Sequence, residues 1–393
     1  MNMSSSIMAT YKRLPVAFSS GAGAWLFDQA GNRYFDALSG ISVCSIGHAN
    51  PALTAALCEQ AGKLIHTSNL YEIPLQEQLA ARLCSLSGLD QVFFANSGAE
   101  ANEAAIKLCR KYAHNKGVHE PVIVVMEGSF HGRTLATLTA TGNDKIKAGF
   151  GPFVPGFHAV PYNNVAAIRA LTDMNMAIVA VMLEPIQGEG GIRIPSPTFL
   201  QEVKDLCDEQ GWLLVLDEIQ CGMCRTGKWF AWQYQSVRPD IMTLAKALGN
   251  GIPIGACLAN NKVANAMGAG SHGSTFGGSP LATRASITVI DYMTEHGLDE
   301  RARTLGAQML SKLTETLAPL EGVREVRGKG LMFGIELTKD CGELVDLALH
   351  DRLLLNVTAG NVVRLLPPLI ISDAEAEQMI RQVCGLIRQF LTG

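Results

Sequence analysis

Lys246 follows a short apolar run, Ile241 to Ala245, and opens onto Gly249, Gly251 and Gly255. A lysine at a strand end is held still, and glycines beyond it leave room for a flat ligand. A second apolar run, Trp212 to Leu216, ends in two acids, Asp217 and Glu218. A buried lysine and a buried acid on neighbouring strand ends suit pyridoxal phosphate chemistry. The amine forms a Schiff base with the aldehyde, and the carboxylate pairs with the pyridinium nitrogen. The bland alternative is a surface lysine after an edge strand, which is how a lone lysine would be read. The residues that accompany Lys246 separate the two.

Four further segments carry residues with the right chemistry. Asn96-Ser97-Gly98-Ala99-Glu100 joins an apolar run to a strong helical pattern. Ser97 and Glu100 have capping-box spacing, and a helix N-terminus with free amides takes phosphate. Every helix needs a cap, so this turn is weak by itself. Phe130-His131-Gly132-Arg133 offers a ring to stack on a flat ligand and a guanidinium to clamp a carboxylate; a core Phe beside a solvated Arg is the alternative. Glu184 and Glu189 lie in a glycine-rich turn that suits a site handling amines, or is a surface loop. Gly273-Ser274-Thr275 offers two hydroxyls to a phosphate, or is simply a turn. Arg364, flanked by Val362, Val363, Leu365 and Leu366, reads as paired and partly buried, because an unpaired buried charge is costly.

The elements that must position these residues alternate. Residues 23 to 36 read as a hairpin turning at Asp28 to Asn32. From about 50 to 280, strands are expected at Gln91–Ala95, Val122–Met126, Ile178–Leu183, Trp212–Leu216, Ile241–Leu244 and Gly255–Ala259. Helices are expected over Leu75–Leu86, Ala99–His114 and Pro197–Gln210. Short apolar strands with helices between them predict an α/β fold with a mostly parallel sheet covered on both faces. After about 284 the pattern becomes a long helix, strands within Val323–Leu337, then helix, strand and helix. Residues 1–55 are expected to join 284–393 in a smaller α+β domain beside a large domain over 56–283.

Composition narrows the class. The 393 residues are 48% hydrophobic and 17% charged, which describes a large-cored enzyme rather than a disordered chain. The net charge of -4 comes with no basic stripe, which argues against nucleic acid as a partner. No apolar run reaches the length of a membrane span, and the first ten residues lack a signal-peptide pattern. The ten cysteines lie mostly in apparent core segments and read as small hydrophobes in a reducing cytoplasm. Cys221 and Cys224 have redox spacing, but one pair cannot make a four-ligand zinc site, so no metal is expected.

Taken in order, these segments resemble the class III (subgroup II) aminotransferases of pyridoxal phosphate fold type I. The likeness runs from about Tyr11 to the end. It is carried by Gly47-His48-Ala49-Asn50-Pro51, Ser97-Gly98-Ala99-Glu100-Ala101-Asn102-Glu103, Phe130 to Thr134, Glu184 to Gly191, Asp217-Glu218-Ile219-Gln220, Leu244 to Gly251, Gly273 to Pro280 and Arg327 to Met332. The resemblance implies a large domain with a seven-stranded sheet and a homodimer with shared active sites. It implies Lys246 as Schiff-base lysine and proton carrier, Asp217 on the pyridinium nitrogen, and Gln220 on the phenolic oxygen. Phe130 and Ile219 would sandwich the ring. Ser97, Gly98 and Ala99 would hold the phosphate, joined by Thr275 of a second subunit.

On the substrate side, the resemblance gives Arg133, with Ser274 nearby, to the donor's distal carboxylate. It gives Arg364 to the α-carboxylate of the keto acid, masked by Glu189 when the donor is present. Tyr11 and Ile41 stand at substrate-lining positions. Cys44 and Cys224 depart from the family pattern, standing where an asparagine and a glycine are usual. The resemblance is greatest to the acetylornithine branch, implying transfer of the terminal amino group of N2-acetylornithine to 2-oxoglutarate. Ornithine, 4-aminobutyrate, succinylornithine and succinyldiaminopimelate are alternative donors. A nucleotide-binding oxidoreductase is disfavoured because Gly328 to Gly334 lacks the dinucleotide glycine spacing. A non-catalytic relative is disfavoured by the complete set of Lys246, Asp217, Arg133 and Arg364.

Overall fold

The computed structural model describes residues 6–235 and 237–392. Met1 to Ser5, part of the leader reading, lie outside the described residues. The strands, in chain order, are β1 (Phe18–Ala22), β2 (Trp25–Asp28), β3 (Arg33–Asp36), β4 (Gln91–Ala95), β5 (Val122–Met126), β6 (Phe157–Val160), β7 (Ile178–Leu183), β8 (Leu213–Asp217), β9 (Ile241–Leu244), β10 (Gly255–Ala259), β11 (Val323–Lys329), β12 (Met332–Leu337), β13 (Leu353–Leu354), β14 (Asn356–Thr358) and β15 (Val362–Leu365). Seven of them form one sheet in the order β4-β10-β9-β8-β7-β5-β6. The pairs from β6 to β9 are parallel, and β10 runs antiparallel to both its neighbours. The expected mostly parallel sheet is therefore present.

The central strands are buried along their whole length: β7, β8, β9 and β10 carry no exposed residue. That continuous burial is why their sequences read as apolar runs rather than alternations. The helix Gly98–Asn115 covers one face, burying a stripe of Ala101, Ala104, Ala105, Leu108 and Tyr112. Phe199–Gln210 buries Val203, Leu206 and Cys207, and ends at Gly211 in a left-handed turn.

Two sheets flank this one. β2 and β3 form the expected hairpin; β1, which was not anticipated, pairs antiparallel with β2, and β13 joins β3 in parallel through Leu353↔Phe35. β11, β12, β15 and β14 form an antiparallel sheet. The expected single long helix after residue 284 is two helices, Pro280–Glu295 and Leu298–Leu317. Gly297 separates them at φ 55°, a left-handed conformation that glycine adopts without penalty.

The fully buried guanidinium of Arg225 ties these parts together. It donates to Ser42 Oγ at 3.0 Å, Ser45 Oγ at 3.1 Å, Leu331 O at 3.0 Å and Pro367 O at 2.5 Å. Burial pulls its pKa down to about 9. The segment carrying Ile41 to Val43 is thereby fixed against the loop that follows β8.

Candidate active site

The C-terminal ends of parallel strands are where open α/β sheets bind ligands, and β5, β7, β8 and β9 deliver their following loops to one place. Phe130, His131 and Arg133 follow β5, Glu184 and Glu189 follow β7, Asp217 ends β8, and Lys246 follows β9. All of them line a single cavity of about 380 Å³, together with Ser97, Gly98, Ala99, Ile219, Gln220 and Val43.

Asp217 is the most heavily held group in it. Its carboxylate is buried. Oδ2 accepts from Asn102 Nδ2 at 2.8 Å and meets His131 Nδ1 at 2.8 Å, while Oδ1 accepts from the Ile219 amide at 3.1 Å. Asn102 in turn accepts from Thr243 Oγ1 at 2.7 Å and donates to His131 O at 2.8 Å. His131 Nε2 is buried with no hydrogen-bond partner. Nδ1 is thus the ring nitrogen placed to donate, and it faces the Asp217 carboxylate.

Lys246 sits at φ 46°, a left-handed backbone that costs a non-glycine residue about 1–2 kcal/mol. Strain of this kind survives where the surroundings over-determine a functional residue. No hydrogen bond or ion pair to another described residue engages its amine. Burial lowers its pKa below the usual lysine value; Glu189 opposes that shift and Arg364 adds to it.

Ser97 caps the helix Gly98–Asn115, its Oγ accepting from the Glu100 amide at 3.2 Å. The expected reciprocal contact is displaced by one residue, since the Glu100 carboxylate accepts from the Asn96 amide at 2.6 Å rather than from that of Ser97. A side chain on Gly98 would fall 2.9 Å from Ile219 Cδ1. Glycine there lets Ile219 lie over the start of the helix.

The guanidinium of Arg364 is fully buried. It donates to Glu189 Oε1 at 2.5 Å, Gln220 Oε1 at 3.2 Å and Asn356 Oδ1 at 3.1 Å, and its Nη2 has no partner. Burial works to raise the Glu189 carboxyl, but Arg364 outweighs it and holds the group below its usual value. Arg133 is exposed at the cavity wall, its guanidinium carbon 5.8 Å from the Phe130 ring centroid.

Not every expected residue reaches this cavity. Ser274 and Thr275 line a separate cleft with Asn96, Glu100 and His272. Ser274 Oγ accepts from Asn96 Nδ2 at 3.1 Å, one residue from the Ser97 cap, while Thr275 is exposed. Tyr11 and Ile41 are exposed and do not line the cavity within this chain; Val43 does. The sequence alone assigned no role to Asn102, His131 or Thr243. Asn102 carried a signal, being a polar residue on the buried stripe of an amphipathic helix.

Comparison with known proteins decides what kind of site this is. Residues 7–387 match the family described as aminotransferase class-III. The chain belongs to the class III aminotransferases. It is 56% identical to the acetylornithine aminotransferase of Nitrosomonas europaea and 54% identical to acetylornithine aminotransferase 1 of Bordetella bronchiseptica, over 98% and 99% of both chains respectively. Among solved structures, it resembles the ornithine aminotransferase of Toxoplasma gondii with a TM-score of 0.94 at 35% identity, covering 98% of this chain and 93% of that one. It resembles the N-acetylornithine aminotransferase of Stenotrophomonas maltophilia with a TM-score of 0.83 at 37% identity, covering 97% of this chain and 98% of that one.

The fold is therefore that of the type I pyridoxal phosphate enzymes, and pyridoxal phosphate is the cofactor. The cavity fits it. A buried, hydrogen-bonded carboxylate suits a pyridinium nitrogen, an unengaged, half-buried amine facing the cavity suits an aldehyde, and a capped helix start suits a phosphate. No helix among the described residues is long and apolar enough to cross a membrane.

Proposed function

We propose that this aminotransferase moves the terminal amino group of N2-acetylornithine to 2-oxoglutarate, giving N-acetylglutamate 5-semialdehyde and glutamate. The observation that carries the reading is 56% identity to an acetylornithine aminotransferase over 98% of both chains. Bound pyridoxal phosphate supplies an aldehyde for amine exchange and a ring that withdraws electrons.

The chain's own residues divide the remaining work. Lys246, with its amine held below the usual pKa, would be the covalent anchor for the aldehyde and, once freed, an amine able to take up and return a proton. Asp217 keeps the positive charge on the ring nitrogen, because a fixed anion beside a base favours its protonated form. Gln220 reaches the phenolic oxygen, and Phe130 and Ile219 form the walls of the ring slot. Ser97, Gly98 and Ala99 hold the phosphate at the helix start. Arg133, with Ser274 nearby, takes the carboxylate of the donor. Arg364 takes the α-carboxylate of the keto acid once Glu189 lets go of it.

We propose further that the enzyme is a cytoplasmic homodimer in which Thr275 of one subunit completes the phosphate site of the other. The exposure of Thr275 outside its own cavity supports this. Tyr11 and Ile41 belong to the substrate-facing surface of that assembly. Residues 1–55 and 284–393 form the small domain around a large domain over 56–283, a division that the β3–β13 pairing supports.

The TM-score of 0.94 to an ornithine aminotransferase favours free ornithine as the second reading. The test is the ratio of kcat/KM for N2-acetylornithine and ornithine with 2-oxoglutarate as acceptor. An isoleucine at position 41 cannot hydrogen-bond a free α-ammonium, so the acetylated donor should win by about tenfold or more. Parity, or a preference for ornithine, overturns the donor assignment and leaves the aminotransferase class standing.

A further inference from the structure

Glu184 lines the cavity, is buried, and belongs to none of the roles assigned above. Its two oxygens serve two different turns. Oε1 accepts from the Phe130 amide at 2.9 Å, in the loop after β5. Oε2 accepts from the Gly188 amide at 3.1 Å, in the loop after β7 and one residue before Glu189. Glu184 sits at the start of that second loop, with its own backbone fixed where Tyr162 Oη donates to Glu184 O at 3.2 Å. The space beside Gly188 is filled by the Gln220 amide, leaving no room for a side chain there.

We propose that Glu184 is a positioning residue: its ionised carboxylate latches the Phe130 turn to the Gly188–Glu189 turn, and loss of its charge releases the latch. A carboxylate accepts from both amides at once. A carboxylic acid carries a proton on one oxygen, which loses its charge and becomes a poorer acceptor for the amide N–H it faces. Protonation thus weakens the charge-assisted grip on the two turns. The loosened turns carry the Phe130 ring that walls the cofactor slot and the Glu189 that pairs with Arg364.

The surroundings put this event within reach of neutral pH. Burial pushes the Glu184 carboxyl up to about 7; His131 opposes the shift and Asp217 adds to it. Its charge acts in turn on the neighbouring titratable groups Lys246, Tyr162 and Cys221. The inference rests on the aminotransferase reading of the cavity.

The experiment measures the Kd of pyridoxal phosphate by equilibrium dialysis, and the KM for 2-oxoglutarate, from about pH 6 to about pH 9. It compares the wild type with Glu184→Gln and Glu184→Asp. The wild type should lose about tenfold in cofactor affinity toward the acid end, as the loss of charge at a hydrogen-bond acceptor implies. Glu184→Gln should bind at the weaker level across the range, without that step. The cofactor's own phosphate titrates equally in both proteins, so the difference between the two curves is the readout.

A Glu184→Gln protein that keeps the wild-type step overturns the proposal. If that variant fails to give a cooperative melt, Glu184→Asp decides. Its shorter carboxylate keeps the charge but cannot span both amides, so its affinity should be weaker at every pH while the step remains. Wild-type affinity in Glu184→Asp overturns the proposal. A wild type that binds no pyridoxal phosphate at any pH overturns the reading of the cavity instead.

Discussion

Arg364 Nη1 lies 2.5 Å from Glu189 Oε1, so the buried guanidinium expected to receive a keto acid already holds a carboxylate of its own chain. An incoming α-carboxylate must compete with Glu189 for the same donor. Glu189→Gln removes the competing charge and leaves Arg364 with a weaker neutral partner. The KM for 2-oxoglutarate is expected to fall by about tenfold, because a charge-assisted bond is roughly twice as strong as a neutral one. Steady-state kinetics at fixed donor concentration read this directly, and an unchanged or raised KM would show that Arg364 is not the keto-acid site.

Asp217→Asn keeps the shape of the side chain and removes its charge. Asp217 Oδ2 receives two donors, from Asn102 and His131, so an amide nitrogen in that place would face donors only. The variant is expected to lose about 100-fold or more in kcat, in line with removal of one preorganised electrostatic contact. Single-turnover loss of the cofactor's yellow colour on adding donor measures the step, and a near-normal rate would count against the pyridinium role.

Glu218 stands next to Asp217 but turns away from the cavity. Its Oε1 accepts from the Trp232 amide at 3.0 Å and its Oε2 from Cys221 Sγ at 3.3 Å. Burial pushes its carboxyl up to about 7 from the ordinary 4.5. A raised carboxyl binds its proton more tightly in the folded state than in the unfolded one. Its contribution is therefore complete below about pH 4.5 and is lost as pH rises toward about 7. The slope approaches about 1.4 kcal/mol per pH unit between those values. Glu218→Gln should flatten that part of the stability profile in urea melts taken across the range. A variant profile parallel to the wild type would refute the assignment.

Thr275 provides the test of shared sites. Lys246→Ala is expected to abolish turnover, and a Thr275→Val variant to lose most of its cofactor affinity. Mixed dimers of the two should regain activity, because one of their two sites has both residues intact. Absence of complementation after verified subunit exchange, or a fully active monomer by light scattering, would remove Thr275 from the site.

Much of the large sheet was legible because its strands are buried on both faces. β4, β5, β7, β9 and β10 begin and end where the apolar runs do. β6 was not, since Phe157–Val160 is a short edge strand carrying His158, half exposed and without a run to mark it. The break at Gly297 was hidden by apolar residues that continue on both sides of it. In the site, the residues that begin or end elements were readable from their turn chemistry. The support behind Asp217 was not, because Asn102, His131 and Thr243 meet through folding across as many as 141 positions of chain. Cys224 is a separate case. It is fully buried at φ 66°, in the left-handed region, where the family pattern places glycine. The thiol fills core space at the cost of backbone strain, so the two effects of the exchange oppose each other.

The pairing of β3 with β13 has a consequence for biosynthesis. Phe35 and Asp36 find their parallel partners only at Leu353 and Leu354, more than three hundred residues later. During translation the first hairpin therefore emerges from the ribosome long before the strand that completes its sheet. The segment that carries Ser42 and Val43 waits with it, as does the Arg225 contact to Pro367. The large sheet and the cavity wall up to Ile254 can assemble as the chain grows, but the Arg364 that pairs with Glu189 arrives only when nearly all of the protein has been made.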